Sequence, residues 1–386
     1  IGSAHNDTLT GNASNNFFLA GVGEDSMKGG LGIDTASYEG SAEAVNIQLG
    51  AFGGVQSGAF EQNGDQVGDT LISIEKIIGS SHDDDLYGTA STIDILMGGD
   101  GEDLISGYGG KDTLFGDGGN DNLSGVAGNQ KLFGGDGNDE INGGSGADYI
   151  NGGSGIDTAT YGGPAGVTIN LGLPTKLLLK GQKSAGDAKG DKLISIENLF
   201  GTSQNDKLTG NAGANSLDGG LGNDTLKGRA GIDQLNGSNG NDTLNGGANN
   251  DSLNGGIDSD ILIGGTGNDT LFGGANTDKF LFKETGTANA DTINDYSGVA
   301  SDELDFSALL NKPFNLANHQ PEDFVQREIV GDDVVIKVDL NGPTGGANFV
   351  EVCTLDGYAT APGETTVFIR FENQLFSLDV ATGLFA

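Results

Sequence analysis

A chain that returns to the same residue types every nine positions cannot fold around one ordinary core, because each unit is too short to bury a face by itself. The register here reads Gly-Gly-x-Gly-x-Asp-x-hydrophobe-x. From residue 206 onward its acidic position falls at Asp206, Asn215, Asp224, Asp233, Asp242, Asp251, Asp260, Asp269 and Asp278. Two positions after each come Leu208, Leu217, Leu226, Leu235, Leu244, Leu253, Leu262, Leu271 and Phe280. An earlier run holds Asp94, Asp103, Asp112, Asp121, Gln130, Asp139, Asp148 and Asp157, and Asp84 precedes it with a one-residue slip. A short first run holds Asp7, Asn16, Asp25 and Asp34. About 22 repeats result, and a Gly/Asp-rich flexible linker would not keep a hydrophobe at one fixed position through all of them.

The chemistry of one repeat points to a metal. Glycines permit positive φ and let carbonyl oxygens turn inward. The x-hydrophobe-x part suffices for a short strand only. Two repeats then make one coil of turn, strand, turn, strand, and successive coils stack at the spacing of paired strands, about 4.8 Å. Aspartates fall into columns on both sides. Two carboxylates about 5 Å apart repel by roughly 1 kcal/mol in water and several times that at an effective dielectric of 20. One buried Leu contributes about 1.5–3 kcal/mol, whereas ordering nine backbones costs on the order of 9–18 kcal/mol. A bound cation is expected to close the gap, which makes folding and metal binding one event. Carboxylates and carbonyls without His or Cys specify a hard cation, and a flexible loop with six or more oxygens favours Ca²⁺ over Mg²⁺. If each ion joins turns in consecutive coils, about 16 ions are expected. The expected ligands are the aspartates of the register, while Asn16, Gln130 and Asn215 lack the charge and mark weak or empty sites.

The remaining composition agrees. Acidic residues outnumber basic ones 55 to 18 for a net charge of −37, which argues against nucleic acid and against anionic polysaccharide or lipid as partners of the bulk surface. Glycine reaches 71 residues with only 6 prolines, too few and wrongly spaced for collagen. The single cysteine, Cys353, excludes an internal disulfide framework and reads as a core residue of a strand. No apolar run is long enough to span a membrane, and no basic region followed by an apolar stretch marks a cleavable leader. The first residue is Ile rather than Met, which leaves room for an upstream domain.

Two related inserts interrupt the repeats. The first runs from Thr35-Ala-Ser-Tyr38 through Ala44-Val-Asn-Ile-Gln-Leu49 to Gly68-Asp-Thr-Leu-Ile-Ser-Ile-Glu75. The second runs from Thr158-Ala-Thr-Tyr161 through Gly166-Val-Thr-Ile-Asn-Leu171 to Gly190-Asp-Lys-Leu-Ile-Ser-Ile-Glu197. Insert plus repeat block has therefore been duplicated, and the alternating segments read as strands of an extra β layer joining one roll to the next. The expected fold is all-β, with three parallel β-roll blocks (residues 1–38, 79–161 and 201–282), β inserts at 39–78 and 162–200, and a C-terminal β region at 283–386.

The nonapeptides, together with Asp291-Thr-Ile-Asn-Asp-Tyr296 and Asp302-Glu-Leu-Asp-Phe306, resemble the RTX (repeats-in-toxin) calcium-binding family. That resemblance implies that the C-terminal region caps the last roll and carries an uncleaved signal for type I secretion, with the ending Leu384-Phe-Ala386 compatible with it. It also implies that Asp291, Asp295 and Asp305 complete a terminal calcium site, and that the chain leaves a Gram-negative cell unfolded and folds outside.

No catalytic constellation is legible. His5 and His82 sit in loop parts of degenerate repeats, and His319 stands apart from both. Neither a Gly-x-Ser-x-Gly elbow nor a His-Glu-x-x-His motif occurs. There is also no Asp-Pro bond, which removes the self-cleaving branch of RTX proteins. Expected, then, is a non-enzymatic structural component of a cell surface or matrix, of S-layer or adhesin type, with self-assembly or outer-membrane polysaccharide as partners. The alternatives are the tail of a secreted protease, lipase or polysaccharide-modifying enzyme, and a free extracellular calcium-binding protein with a signalling role.

Overall fold

The computed structural model describes residues 1–19, 21–50, 68–90, 92–172, 186–283, 289–299, 301–309, 321–339, 349–358, 366–371 and 374–385. His319, and the parts of the two inserts at 51–67 and 173–185, lie outside these. Among the described residues there is no α-helix, and no helix is long and apolar enough to cross a membrane. The fold is a parallel β-solenoid, as the nine-residue register predicts. Each repeat lays down one strand and the next repeat lays down a strand in the other sheet. Hydrogen-bonded neighbours are therefore two repeats apart: Thr113, Leu114 and Phe115 pair with Lys131, Leu132 and Phe133, while Leu104, Ile105 and Ser106 pair with Asn122, Leu123 and Ser124.

The chain forms two compact units, Ile1–Phe200 and Gly201–Ala386. In the first, one sheet runs in the order Phe17–Phe18, Thr35–Ser37, Lys76–Ile78, Ile95–Asp100, Thr113–Gly118, Lys131–Asp136, Tyr149–Ser154, Lys192–Ile194, all parallel. A second runs from Asn46–Gln48 through Asp85–Tyr87, Leu104–Ser106, Asn122–Ser124, Glu140–Asn142 and Thr158–Thr160 to Asn198–Phe200. A three-stranded sheet holds Thr8–Thr10, Ser26–Lys28 and Thr70–Ile72.

This order corrects one expectation. The insert strands are not an extra layer between rolls but rungs of the roll itself. Lys76–Ile78 is hydrogen-bonded between Thr35–Ser37 and Ile95–Asp100, and Lys192–Ile194 extends the same sheet beyond Tyr149–Ser154. The reason is hydrophobic register. Leu71, Ile77 and Leu199 are buried where the nonapeptides bury their Leu or Ile, so a segment without the glycine signature still satisfies the core.

In the second unit, Lys207–Thr209, Thr225–Ala230, Thr243–Ala248, Ile261–Thr266, Lys279–Leu281 and Glu303–Asp305 pair in parallel. Ser216–Asp218, Gln234–Asn239, Ser252–Ile257, Thr270–Ala275 and Asp291–Ile293 do the same. Phe349–Leu355 then joins Asp291–Ile293, and Thr366–Phe371 joins Glu303–Asp305, both in parallel. From these two strands outward the pairing turns antiparallel, with Asp333–Asp339, Val325–Val330 and Gln374–Asp379. The packing changes with it: single aliphatic columns give way to contacts among Phe280, Phe282, Tyr296, Phe306, Phe324, Tyr358 and Phe371. Cys353 lies in this core with 0% exposure, which pushes its thiol well above the ordinary range and leaves it no part in nucleophilic chemistry.

In most turns the fourth position is left-handed, with φ of 136° at Gly119 and 130° at Gly137. A Cβ on Gly119 would also strike the carbonyl of Gly101 one coil below, so close approach of backbones adds to the conformational reason for glycine. Among these left-handed positions Asn249 (φ 77°) and Asp258 (φ 83°) stand in for glycine, the residue types that tolerate it best.

Candidate metal centres

Most register aspartates use their two oxygens differently. One, Oδ1, accepts the backbone N–H of the corresponding residue one coil earlier. Asp103 N–H donates to Asp121 at 2.9 Å, Asp121 to Asp139 at 2.9 Å, Asp139 to Asp157 at 3.0 Å and Asp242 to Asp260 at 2.8 Å. The other, Oδ2, is buried without a hydrogen-bond partner at Asp25, Asp34, Asp103, Asp112, Asp121, Asp139, Asp148, Asp157, Asp224, Asp233, Asp242, Asp251, Asp260 and Asp278. A lone buried carboxylate oxygen is among the costliest groups a fold can carry, and many stacked in columns require a positive partner.

The first glycine of the turn shows where that partner fits. A Cβ on Gly116 would run into Asp121 Oδ2 and the Gly134 carbonyl of the next coil, and one on Gly134 would meet Asp139 Oδ2 and the Gly152 carbonyl. The pattern recurs at Gly228, with Asp233 Oδ2 and the Gly246 carbonyl. Carboxylate and carbonyl oxygens thus converge on a cradle from which side chains are excluded. Among the described residues no three His, Cys, Asp or Glu side chains converge, so the donors are carboxylates complemented by backbone carbonyls. That all-oxygen, glycine-lined set fits a hard, flexibly coordinated cation such as Ca²⁺. Burial pushes the carboxyls of Asp103, Asp112, Asp242, Asp251 and Asp278 up to about 7, with neighbouring aspartates adding to the rise and accepted backbone N–H groups opposing it.

Other expected ligands stand differently. In four turns a Ser or Thr amide of the same turn occupies Oδ2. Asp7 accepts from Ser3 N–H, Asp84 from Ser80 N–H, Asp94 from Thr89 N–H and Asp206 from Thr202 N–H. Asn16 and Asn215 make the equivalent bond to Asn12 and Asn211. Gln130 extends its amide nitrogen to the carbonyls of Ala127 (2.5 Å) and Gly125 (3.2 Å), so an N–H donor meets turn carbonyls there. Asp269 and Asp291 continue the ladder, Oδ1 of Asp269 accepting from Asp251 and that of Asp291 from Asp269. Asp295 gives its two oxygens to the N–H groups of Gly273 and Gly274 at 2.9 and 2.8 Å. Asp305, expected beside it, is paired with Lys279 at 3.1 Å instead. The ladder position belongs to Asp302, whose Oδ1 accepts from Asp278 N–H at 2.9 Å.

Sequence reasoning missed two further sets. The residue before the aspartate is often Asn, and its Oδ1 accepts the N–H of the following coil: Asn120 from Asn138, Asn138 from Ile156, Asn223 from Asn241. Asn-Asp dipeptides therefore clamp forward and backward at once, and their recurrence in the sequence was the available signal. Each insert also contributes carboxylates to the columns. Asp69 accepts from Asp25 N–H and Asp191 from Asp148 N–H, while Glu75 accepts from Asp34 and Glu197 from Asp157. The shared Gly-Asp-x-Leu-Ile-Ser-Ile-Glu segment was the signal there.

Columns of carboxylates, glycine cradles and a two-repeat coil define this as a calcium-binding parallel β-roll. Comparison with known families agrees: the model for the RTX calcium-binding nonapeptide repeat matches residues 1–36, 89–123, 124–159, 195–226, 227–262 and 254–281. These segments span half of the chain, which belongs to that family. No curated protein matches it in a whole-sequence comparison.

Proposed function

We propose that this is a secreted protein whose rolls fold when they bind extracellular calcium, after export of the unfolded chain by type I secretion from a Gram-negative cell. In this reading the folded rolls are a non-catalytic structural component of a cell surface or matrix, of S-layer or adhesin type. The observation that carries the calcium part is the set of buried, unpartnered Oδ2 atoms facing glycine cradles. Calcium supplies the missing positive charge there, and the chain's own residues do the rest: Oδ1 ladders hold the register while glycines bring carbonyls inward. The turns closed by Ser3, Ser80, Thr89 and Thr202, and the turn filled by Gln130, bind weakly or not at all.

Far-UV circular dichroism with excess chelator and then calcium tests the coupling. Loss of β signal in chelator and recovery in millimolar calcium is expected, and a β signal unchanged by chelator would overturn it. Electron microscopy in calcium tests the structural role. Sheets or filaments are expected, and persistent monomers at high concentration would count against self-assembly.

A further inference from the structure

The inserts place two glutamates in the aspartate columns, and their surroundings match those of a cradle. Glu75 accepts the Asp34 N–H at 3.0 Å and Glu197 the Asp157 N–H at 3.0 Å, as aspartate Oδ1 does in regular coils. Asp34 and Asp157 are 0% exposed, and Oδ2 of each has no hydrogen-bond partner. The carbonyl that meets this oxygen is no longer a glycine's. A Cβ on Gly29 would run into Asp34 Oδ2 and the Ser73 carbonyl, and one on Gly152 into Asp157 Oδ2 and the Ser195 carbonyl. Ser73 and Ser195 have φ of 51° and 47°, a left-handed backbone that is strained for a non-glycine residue. Because Glu follows its Ser after a much shorter turn, the additional methylene lets the carboxylate reach the same amide.

The other column of each insert is built differently. Asp69 and Asp191 also accept a ladder N–H, but their Oδ2 atoms receive the hydroxyls of Tyr38 at 2.9 Å and Tyr161 at 3.4 Å. A neutral donor stands where the regular repeats leave an oxygen bare.

We propose that Asp34, Glu75 and the Ser73 carbonyl, and likewise Asp157, Glu197 and the Ser195 carbonyl, form two calcium sites outside the nonapeptide pattern, whereas Tyr38–Asp69 and Tyr161–Asp191 end the adjacent columns without metal. Each insert is then an asymmetric rung that extends one column of ions and stops the other. The inference rests on the calcium reading of the regular cradles.

Equilibrium dialysis of the full chain against calcium alone, counting ions per chain, separates the possibilities. E75Q and E197Q are each expected to lose one ion, D139N to lose at least one as the regular-site control, and Y161F and D191N to keep the wild-type count. Gln retains the oxygen that accepts the ladder N–H, and circular dichroism in saturating calcium checks the fold. Should one Gln variant fail to fold, its duplicate carries the test. Wild-type counts and midpoints for E75Q and E197Q, with a loss in D139N, overturn the glutamate sites and leave the general reading standing. A wild-type count for D139N as well sinks the general reading. Loss of an ion in D191N overturns the metal-free closure.

Discussion

The buried aspartates make the metal-free protein respond to pH in a distinctive direction. Asp103, Asp112, Asp242, Asp251 and Asp278 are pushed from 3.8 up to about 7. A carboxyl whose folded value is raised stabilises the fold fully below its unfolded value, and that contribution is lost as pH rises through its folded value. At pH 7 the metal-free roll therefore gains nothing from these groups, and at pH 5 it is stabilised because folded aspartates hold protons that unfolded ones release. Two pH units correspond to about 2.7 kcal/mol per aspartate, and allowing for water at the turn rims leaves roughly half of that. Even the discounted figure, summed over a column, is comparable with the whole stability of a typical domain. Calcium-depleted protein followed by circular dichroism should gain β signal between pH 7.5 and pH 5, with sedimentation confirming monomers, while calcium affinity falls over the same interval. A metal-free β signal that is flat, or that grows as pH rises, would refute burial of unpaired carboxylates as an obstacle to folding without metal.

Two substitutions probe the cradle and the core separately. G116A would place a Cβ against Asp121 Oδ2 and the Gly134 carbonyl; calcium titration should show a weakened midpoint, and an unchanged one would mean the cradle is not a site. L132A removes a side chain that is 0% exposed and should cost about 2–5 kcal/mol in calcium-saturated denaturant unfolding, with little change in ion count.

Most of the fold was legible because one nonapeptide carries its own coil. The spacing of Leu114, Leu123 and Leu132 placed alternate strands in alternate sheets, and all three are fully buried. The aspartate columns followed from the same spacing. What escaped sequence reasoning depends on contacts that spacing does not encode. Asp94 and Asp112 look alike in the register, yet Thr89 closes the first and nothing hydrogen-bonds Oδ2 of the second, a difference set by the turn residue rather than by the aspartate. Asp69 and Glu75 reach the columns across a long excursion, so their distance from Asp25 and Asp34 in the chain hid the pairing. At the C-terminal side the Asp-Glu-Leu-Asp segment offered two candidates, and Lys279 drew Asp305 into an ion pair and left the ladder to Asp302.

Pairing between alternate repeats gives the gene a counting rule. A strand bonds to the one two repeats away, and ladder partners such as Asp121 and Asp139 are 18 residues apart. Gaining or losing a whole coil leaves every surviving strand on its own sheet with the same kinds of neighbour. Gaining or losing a single nonapeptide sends each downstream strand to the opposite sheet and exchanges the two aspartate columns, so that a residue such as Gln130 would interrupt the other column of carboxylates. Length variation within such a block is thus tolerated in even steps and penalised in odd ones, a parity imposed by hydrogen bonding rather than by the reading frame.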